Sequence, residues 1–241
     1  MKYPAGSSGD PAGIKRKEIS LKTKVVTVEA ALEKIKDGMT VMLPGFQDVG
    51  GPAKFEMKMI EAEITDLTVI STDAGTPSRP AGVAKLILNK RVKKLITSHI
   101  GLNPVAGEQM NHGEMEVELV PMGTFAERIR CGGSGLGGIL TPTGVGTIVA
   151  EGKQVIQVRG REYLLEEPLH ADVAVLKAWK ADKMGNLVYH RCARNYNPMM
   201  AMAADLVIVE AENIVEVGEI DPDMVMTPGV LVDMIVHFEE E

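Results

Sequence analysis

The chain has 241 residues, 45% hydrophobic and 24% charged, enough apolar material for one large α/β unit or two small ones, which excludes global disorder. A formal charge of −7 and an aromatic share of 4% exclude a phosphate-backbone or base-stacking nucleic-acid binder. Cys131 and Cys192 are too few for a disulfide framework or an all-cysteine zinc site, no apolar run reaches membrane-span length, and no signal-peptide pattern opens the chain, so a cytoplasmic enzyme or enzyme subunit is expected.

Residues 1–22 mix Pro, Gly and Ser with the run Lys15-Arg16-Lys17 and show no periodicity, so they read as a flexible extension whose basic triplet is a solvated charge run. Residues 23–241 then read as one domain. Thr27 caps a helix carrying Val28, Ala31, Leu32 and Ile35 on one face, and Gly38 supplies its left-handed exit. A strand over Thr40 to Leu43 leads through the loop from Pro44 to Pro52 into a Met- and Glu-rich helix, Ala53 to Ala62. A strand at Leu67 to Ile70, a helix at Val83 to Asn89 and a strand at Leu95 to Ser98 continue the alternation. Short alternating helices and strands imply crossover connections and an open, mostly parallel sheet with flanking helices, an α/β fold.

Met115 to Leu119 alternates with period two, as a half-buried strand does. A short helix is expected over Thr124 to Arg130, then a Gly-dense loop from Cys131 to Thr147. Val155 to Val158 and Glu162 to Leu165 flank Arg159-Gly160, a hairpin turn. Val173 to Leu176 and Leu206 to Val209 are continuous apolar runs suited to central strands buried on both faces.

Gly133-Ser134-Gly135-Leu136-Gly137-Gly138 has the G-x-G-x-x-G spacing, but a helix precedes it and Leu140-Thr141-Pro142 follows, the reverse of a dinucleotide-binding context. Glycine there reads as positive φ or close backbone approach. The same stretch misses a nucleophile elbow, because Leu136 stands where the final Gly is required. His99, His112, His170, His190 and His237 show no metal-ligand spacing. Adjacent Ser98 and His99 point to opposite faces of a strand and form no nucleophile–base pair. Cys131, opening the Gly-rich loop, reads as a small hydrophobe. The Pro44 to Pro52 loop carries Gly45, Gly50 and Gly51, with amides free for anionic oxygens at the next helix's N-terminus. Taken alone, it fits a ligand loop and a tight strand-to-helix connection equally well.

The stretch Asp37-Gly38-Met39-Thr40-Val41-Met42-Leu43-Pro44-Gly45-Phe46-Gln47-Asp48-Val49-Gly50-Gly51-Pro52 resembles the first signature of the family I coenzyme A transferases. The likeness continues through Glu114 to Pro121, Gly123 to Arg130 and Leu140 to Thr147, and spans roughly Thr23 to His237. The chain is similar to the α subunit of the acetate/butyrate–acetoacetate branch. The resemblance implies a ribose-5-phosphate-isomerase-like α/β fold and ping-pong transfer of CoA between a short-chain acyl-CoA and a carboxylate. It implies no permanently bound cofactor, CoA entering as a substrate. The family's glutamate nucleophile lies in a Ser-Glu-Asn-Gly motif on the β subunit. No such motif occurs here, and Ala211-Glu212-Asn213-Ile214 is not a substitute. The resemblance therefore implies a β-subunit partner in an α2β2 assembly, with Pro44, Gly45, Phe46, Gln47, Asp48, Val49 and Gly50 contributing to the CoA or substrate site. Two residues depart from the pattern. Pro44 replaces the signature's first Gly, which removes an amide donor and fixes φ at about −65°. Met122 replaces a Gln that helps form the oxyanion hole, and a thioether donates no hydrogen bond. The competing readings are a non-catalytic acyl-CoA-binding paralogue and a sugar-phosphate isomerase or sensor on the same fold.

Overall fold

The computed structural model describes residues 23–239. The N-terminal extension and its basic triplet lie outside the described residues. The described residues open with α1 (Val28–Leu32), whose N-cap Thr27 accepts the Ala30 amide, and the chain leaves it through Gly38 at φ +80°. Three strand–helix units follow: β1 (Thr40–Leu43) with α2 (Ala53–Glu61), β2 (Leu67–Ser71) with α3 (Val83–Leu88), and β3 (Val92–Thr97) with α4 (Pro104–Asn111). After β4 (Glu116–Leu119) comes α5 (Met122–Gly133). A small antiparallel sheet interrupts the alternation, formed by β5 (Ile139–Thr141), β6 (Val155–Val158) and β7 (Arg161–Glu166) in the order β5-β7-β6. The chain then returns through β8 (Ala171–Asp182), β9 (Leu187–Val188), α6 (Asn197–Met202), β10 (Ala204–Val215) and β11 (Met234–His237).

The main sheet runs β11-β10-β8-β1-β2-β3-β4 with all neighbours parallel, and β9 pairs antiparallel with β8. Alternating side chains separate two cores. Met42, Ile70, Ile96, Leu176 and Val209 face Phe125 and Ile129 of α5 and Met200 of α6. Val41, Leu43, Val69, Leu95 and Val175 face Phe55 and Met59 of α2 and Leu86 and Ile87 of α3. Burial on both faces is why these strands are continuously apolar. The mostly parallel sheet and its flanking helices match the α/β expectation.

Several expectations need correction. α5 runs from Met122 to Gly133, so the Gly-dense stretch begins inside a helix and not in a loop. Its glycines serve close approach: a Cβ on Gly132 would lie 2.0 Å from the Leu169 carbonyl oxygen, and one on Gly133 2.6 Å from Met202. Cys131 is buried in that helix and its Sγ donates to the Leu136 carbonyl. β5 falls within the expected loop. β8 and β10 are each 12 residues long, three times the apolar run that marked them. α4 carries no apolar periodicity that marks it in the sequence, although Asn103 caps it and Pro104 starts it. The hairpin turn stands as expected, with Arg159 at φ +51° and Gly160 at +78° between β6 and β7. Arg128 of α5 binds Glu118 of β4 and the Glu167 carbonyl, and Lys153 binds buried Glu166, which ties the small sheet to the main one.

Candidate functional site

The sheet has one topological switch point. From β1 the order proceeds through β2 and β3 to β4, whereas β8 leads the other way through β10 to β11. Ligands of open α/β sheets bind outside the carboxyl ends of the strands at such a reversal. The loop after β1 lies there.

Within this loop Phe46 and Val49 exchange both backbone hydrogen bonds, each 3.1 Å, and close a miniature hairpin over Gln47 and Asp48. Gln47 at φ +50° and Asp48 at +67° make it a type I′ turn, with Gly45 at +136° and Gly50 at +82° on either side. Two non-glycine residues in the left-handed region cost about 1–2 kcal/mol each and are held by surrounding contacts. Asp73, just beyond β2, supplies one: its carboxylate accepts the Gln47 amide at 2.8 Å and the Gly75 amide at 2.9 Å. The Asp48 side chain folds back against Gly75 and Gly82, where a Cβ on Gly82 would lie 2.6 Å from Oδ1. Phe46 and Val49 remain 44% exposed at the tip. Together with Gln47, Arg79, Cys192 and Asn195 they line an open cleft of about 360 Å³.

Under the loop the chain buries an unusual number of carboxyl groups. Glu56 of α2 is 1% exposed and its Oε2 has no hydrogen-bond partner; Asp48 Oδ2 is likewise buried and unpartnered. Both border a cavity of about 20 Å³ with Pro44, Gly45, Ser71 and Asp73, room for about one water. Burial pushes the Glu56 carboxyl up to about 8, reinforced by Glu210 and Asp48 and opposed by Lys177. Burial, then the neighbouring Asp73, raises Asp48. Glu210 of β10 is also raised by burial, against the opposing pull of the Phe55 amide that it binds at 2.9 Å.

That last contact corrects the sequence reading. The amides opening α2 were expected to be free for an anionic ligand, but those of Lys54 and Phe55 are turned to the Glu210 carboxylate. The amides of Gly45, Asp48 and Gly50 have no hydrogen-bond partner among the described residues. Any backbone recognition falls to this loop and not to the helix.

Met122 sits elsewhere. It is the first residue of α5, 40% exposed, beyond the carboxyl end of β4. It shares the loop's end of the sheet, at the strand three positions along from β1. A cleft of about 560 Å³ between α5 and β5 is lined by Thr124, Glu127, Arg130, Leu140 and Thr143. Ser98 and His99 form no pair: Ser98 Oγ donates to the Thr72 carbonyl, and His99 bridges to Asp73. Glu212 is an exposed strand residue in an ion pair with Lys177. No group of three or more His, Cys, Asp or Glu among the described residues is arranged to hold a metal ion. Among the described residues the chain thus offers a shaped, amide-bearing loop but no activated nucleophile.

The coenzyme A transferase family model matches residues 25–237. The chain belongs to the coenzyme A transferase family. It is 49% identical to the acetate CoA-transferase subunit alpha of Escherichia coli K12 over 220 residues, 91% of this chain and 99% of that one. It is 49% identical to the acetoacetyl-CoA:acetate/butyrate CoA transferase alpha subunit of Clostridium acetobutylicum over 216 residues, 90% of this chain and 98% of that one. Among solved structures, an acyl-CoA transferase from E. coli O157:H7 superposes with a TM-score of 0.80 at 19% identity, covering 90% of this chain and 47% of that one. That likeness supports the fold alone, and this transferase chain spans about half of the longer protein. Family membership favours the transferase reading over the sugar-phosphate isomerase or sensor.

Sequence reasoning missed Glu56, Asp73, Arg79, Asn195, Asn197 and Glu210. Glu56 had a signal, since it lies three residues before Met59 on the apolar face of α2. Asp73, Asn195 and Asn197 are joined to the loop, and Glu210 to α2, by contacts that no local pattern encodes, and Arg79 lines the cleft beside the loop.

Proposed function

We propose that this chain is the α subunit of a CoA-transferase that moves CoA between a short-chain acyl-CoA and a carboxylate acceptor of the acetate, butyrate or acetoacetate type. The observation that carries the reading is near-full-length identity of 49% to alpha subunits so named. The loop at the switch point supports it physically. Its exposed Phe46 and Val49 suit an acyl or pantetheine chain, and Arg79 beside them suits an anionic group. The free amides of Gly45, Asp48 and Gly50 suit carbonyl or carboxylate oxygens. CoA is substrate and product here.

The covalent step belongs to a partner β chain. Its glutamate carboxylate attacks the thioester carbonyl, giving an acyl-glutamyl anhydride and CoA thiolate. The thiolate attacks the glutamyl carbonyl, releases the first carboxylate and leaves a glutamyl-CoA thioester. The acceptor carboxylate then reverses the sequence and departs as the new acyl-CoA. This chain's contribution is to orient the thioester and exclude water, with residues 23–241 acting as one domain in an α2β2 assembly. Met122, lacking a donor, leaves oxyanion stabilisation to other groups. The test is co-expression with the β chain and transfer assays over acetyl-, butyryl- and acetoacetyl-CoA against a panel of carboxylates. Failure to transfer CoA between any pair would overturn the reading.

A further inference from the structure

The loop is held from outside its own sequence by two asparagines more than 140 residues downstream. Asn197, the first residue of α6, is fully buried. Its Nδ2 donates to the Gly50 carbonyl at 3.0 Å and the Ala193 carbonyl at 2.9 Å, while its Oδ1 accepts the Lys177 amide of β8 at 2.9 Å. Both donors and the acceptor are used, so this one amide joins the loop, the 3-10 turn Arg191–Arg194 and the central strand next to β1. Asn195 Nδ2 donates to the Val49 carbonyl at 2.8 Å and the Cys192 carbonyl at 3.2 Å, and its Oδ1 accepts the Tyr196 amide. The Val49 carbonyl is also the acceptor that closes the Phe46–Val49 hairpin. Asn195 therefore grips the turn at its closing bond.

The two segments meet closely at Gly50, where there is no room for a side chain. A Cβ on Gly50 would lie 2.5 Å from the Ala193 carbonyl oxygen and 2.7 Å from Asn195 Nδ2. Between the asparagines, the Tyr196 ring packs edge-on against Phe125 of α5 at 5.7 Å, which fixes the segment to the opposite core. A hairpin with two left-handed non-glycine residues does not keep its shape unaided. Asp73 holds it on one side and the asparagines on the other.

We infer that Asn195 and Asn197 are positioning residues of the transferase site: by holding the Val49 and Gly50 carbonyls they set where the free loop amides and the Phe46 and Val49 side chains meet the acyl-CoA. The inference rests on the proposed role of the loop. The chemistry demands an amide, because Asp has the same shape but presents only acceptors to the two carbonyl oxygens.

The test uses the complex of this chain with its β partner, comparing wild type with Asn195→Asp and Asn197→Asp by steady-state kinetics and by hydrogen exchange of residues 44–51. Asn195 is the safer site for folding, because its bonds lie at the surface whereas those of Asn197 are buried. Loop exchange should quicken and kcat/KM for acyl-CoA fall about 3- to 10-fold in Asn195→Asp. Assembly and exchange in β2 and β10 should stay unchanged. Unaltered loop exchange would overturn the inference, as would faster loop exchange with unaltered kcat and KM. Absence of transfer by the wild-type complex would count against the proposed function, while the exchange measurement would still decide whether the asparagines hold the loop.

Discussion

Glu56 gives the chain a stability that should decline with pH. Its carboxyl is fully buried under the site loop, one oxygen is unpartnered, and burial with the nearby Glu210 and Asp48 carboxylates raises its pKa from 4.5 to about 8. The folded state thus binds this proton more tightly than the unfolded chain. The resulting stabilisation is complete below pH 4.5 and is lost as the pH rises through about 8. At about 1.4 kcal/mol per pH unit the whole window amounts to about 5 kcal/mol, of which about 2–3 kcal/mol falls between pH 6 and pH 9. Glu56→Gln removes the titration while nearly preserving the shape. Asp48 and Glu210, whose pKa values are also raised, remain in both proteins, so the comparison reports Glu56 together with its coupling to them. Urea unfolding of the wild type and Glu56→Gln at pH 6, 7.5 and 9 should give free energies that diverge by that amount, the variant being the less pH-sensitive. Parallel curves would refute the buried, protonated carboxyl.

Three further substitutions probe separate parts of the structure. Gly50→Val should cut kcat/KM for acyl-CoA at least about tenfold while the complex still elutes as a hetero-oligomer, since residue 50 is at φ +82° and a Cβ meets the Ala193 backbone. Unchanged kinetics would reduce the loop to a structural turn. Gly132→Ala should destabilise by about 3 kcal/mol or more in thermal unfolding, because its Cβ would lie 2.0 Å from the Leu169 carbonyl oxygen. A wild-type melting temperature would contradict the close approach of α5. Met122→Gln, at a 40% exposed helix start, should leave stability within about 0.5 kcal/mol and raise kcat by up to about 10²-fold. A kcat that falls with every acyl-CoA donor would refute the missing-donor account.

The sheet was legible because its strands are buried on both faces and announce themselves as apolar runs, as at Val41, Val69 and Val175. Turn chemistry was equally plain at Arg159-Gly160 and at the Thr27 cap. The full lengths of β8 and β10 were hidden because Lys177, Lys180, Glu210 and Glu212 interrupt their apolar pattern where the strands pass the switch point. α5 was cut short because glycine normally ends helices, yet Gly132 and Gly133 are there to let neighbouring backbone approach. At the site, the glycines of the Pro44 to Pro52 loop were visible, but its supports were not. Asp73, Asn195, Asn197 and Glu210 act through side-chain bonds to backbone 26 to 155 residues away, and such pairing follows from topology and not from local periodicity.

The central claim is that this chain shapes the CoA site while its partner carries the nucleophile. The direct measurement is CoA transfer from acetoacetyl-CoA to acetate by the purified chain alone, by the β chain alone and by the two mixed. Turnover is expected only in the mixture, together with a glutamyl-CoA thioester seen as a CoA-sized mass increase of the β chain in the presence of acyl-CoA. Robust turnover by this chain alone, or a covalent CoA adduct on it, would place the nucleophile here and overturn the division of labour.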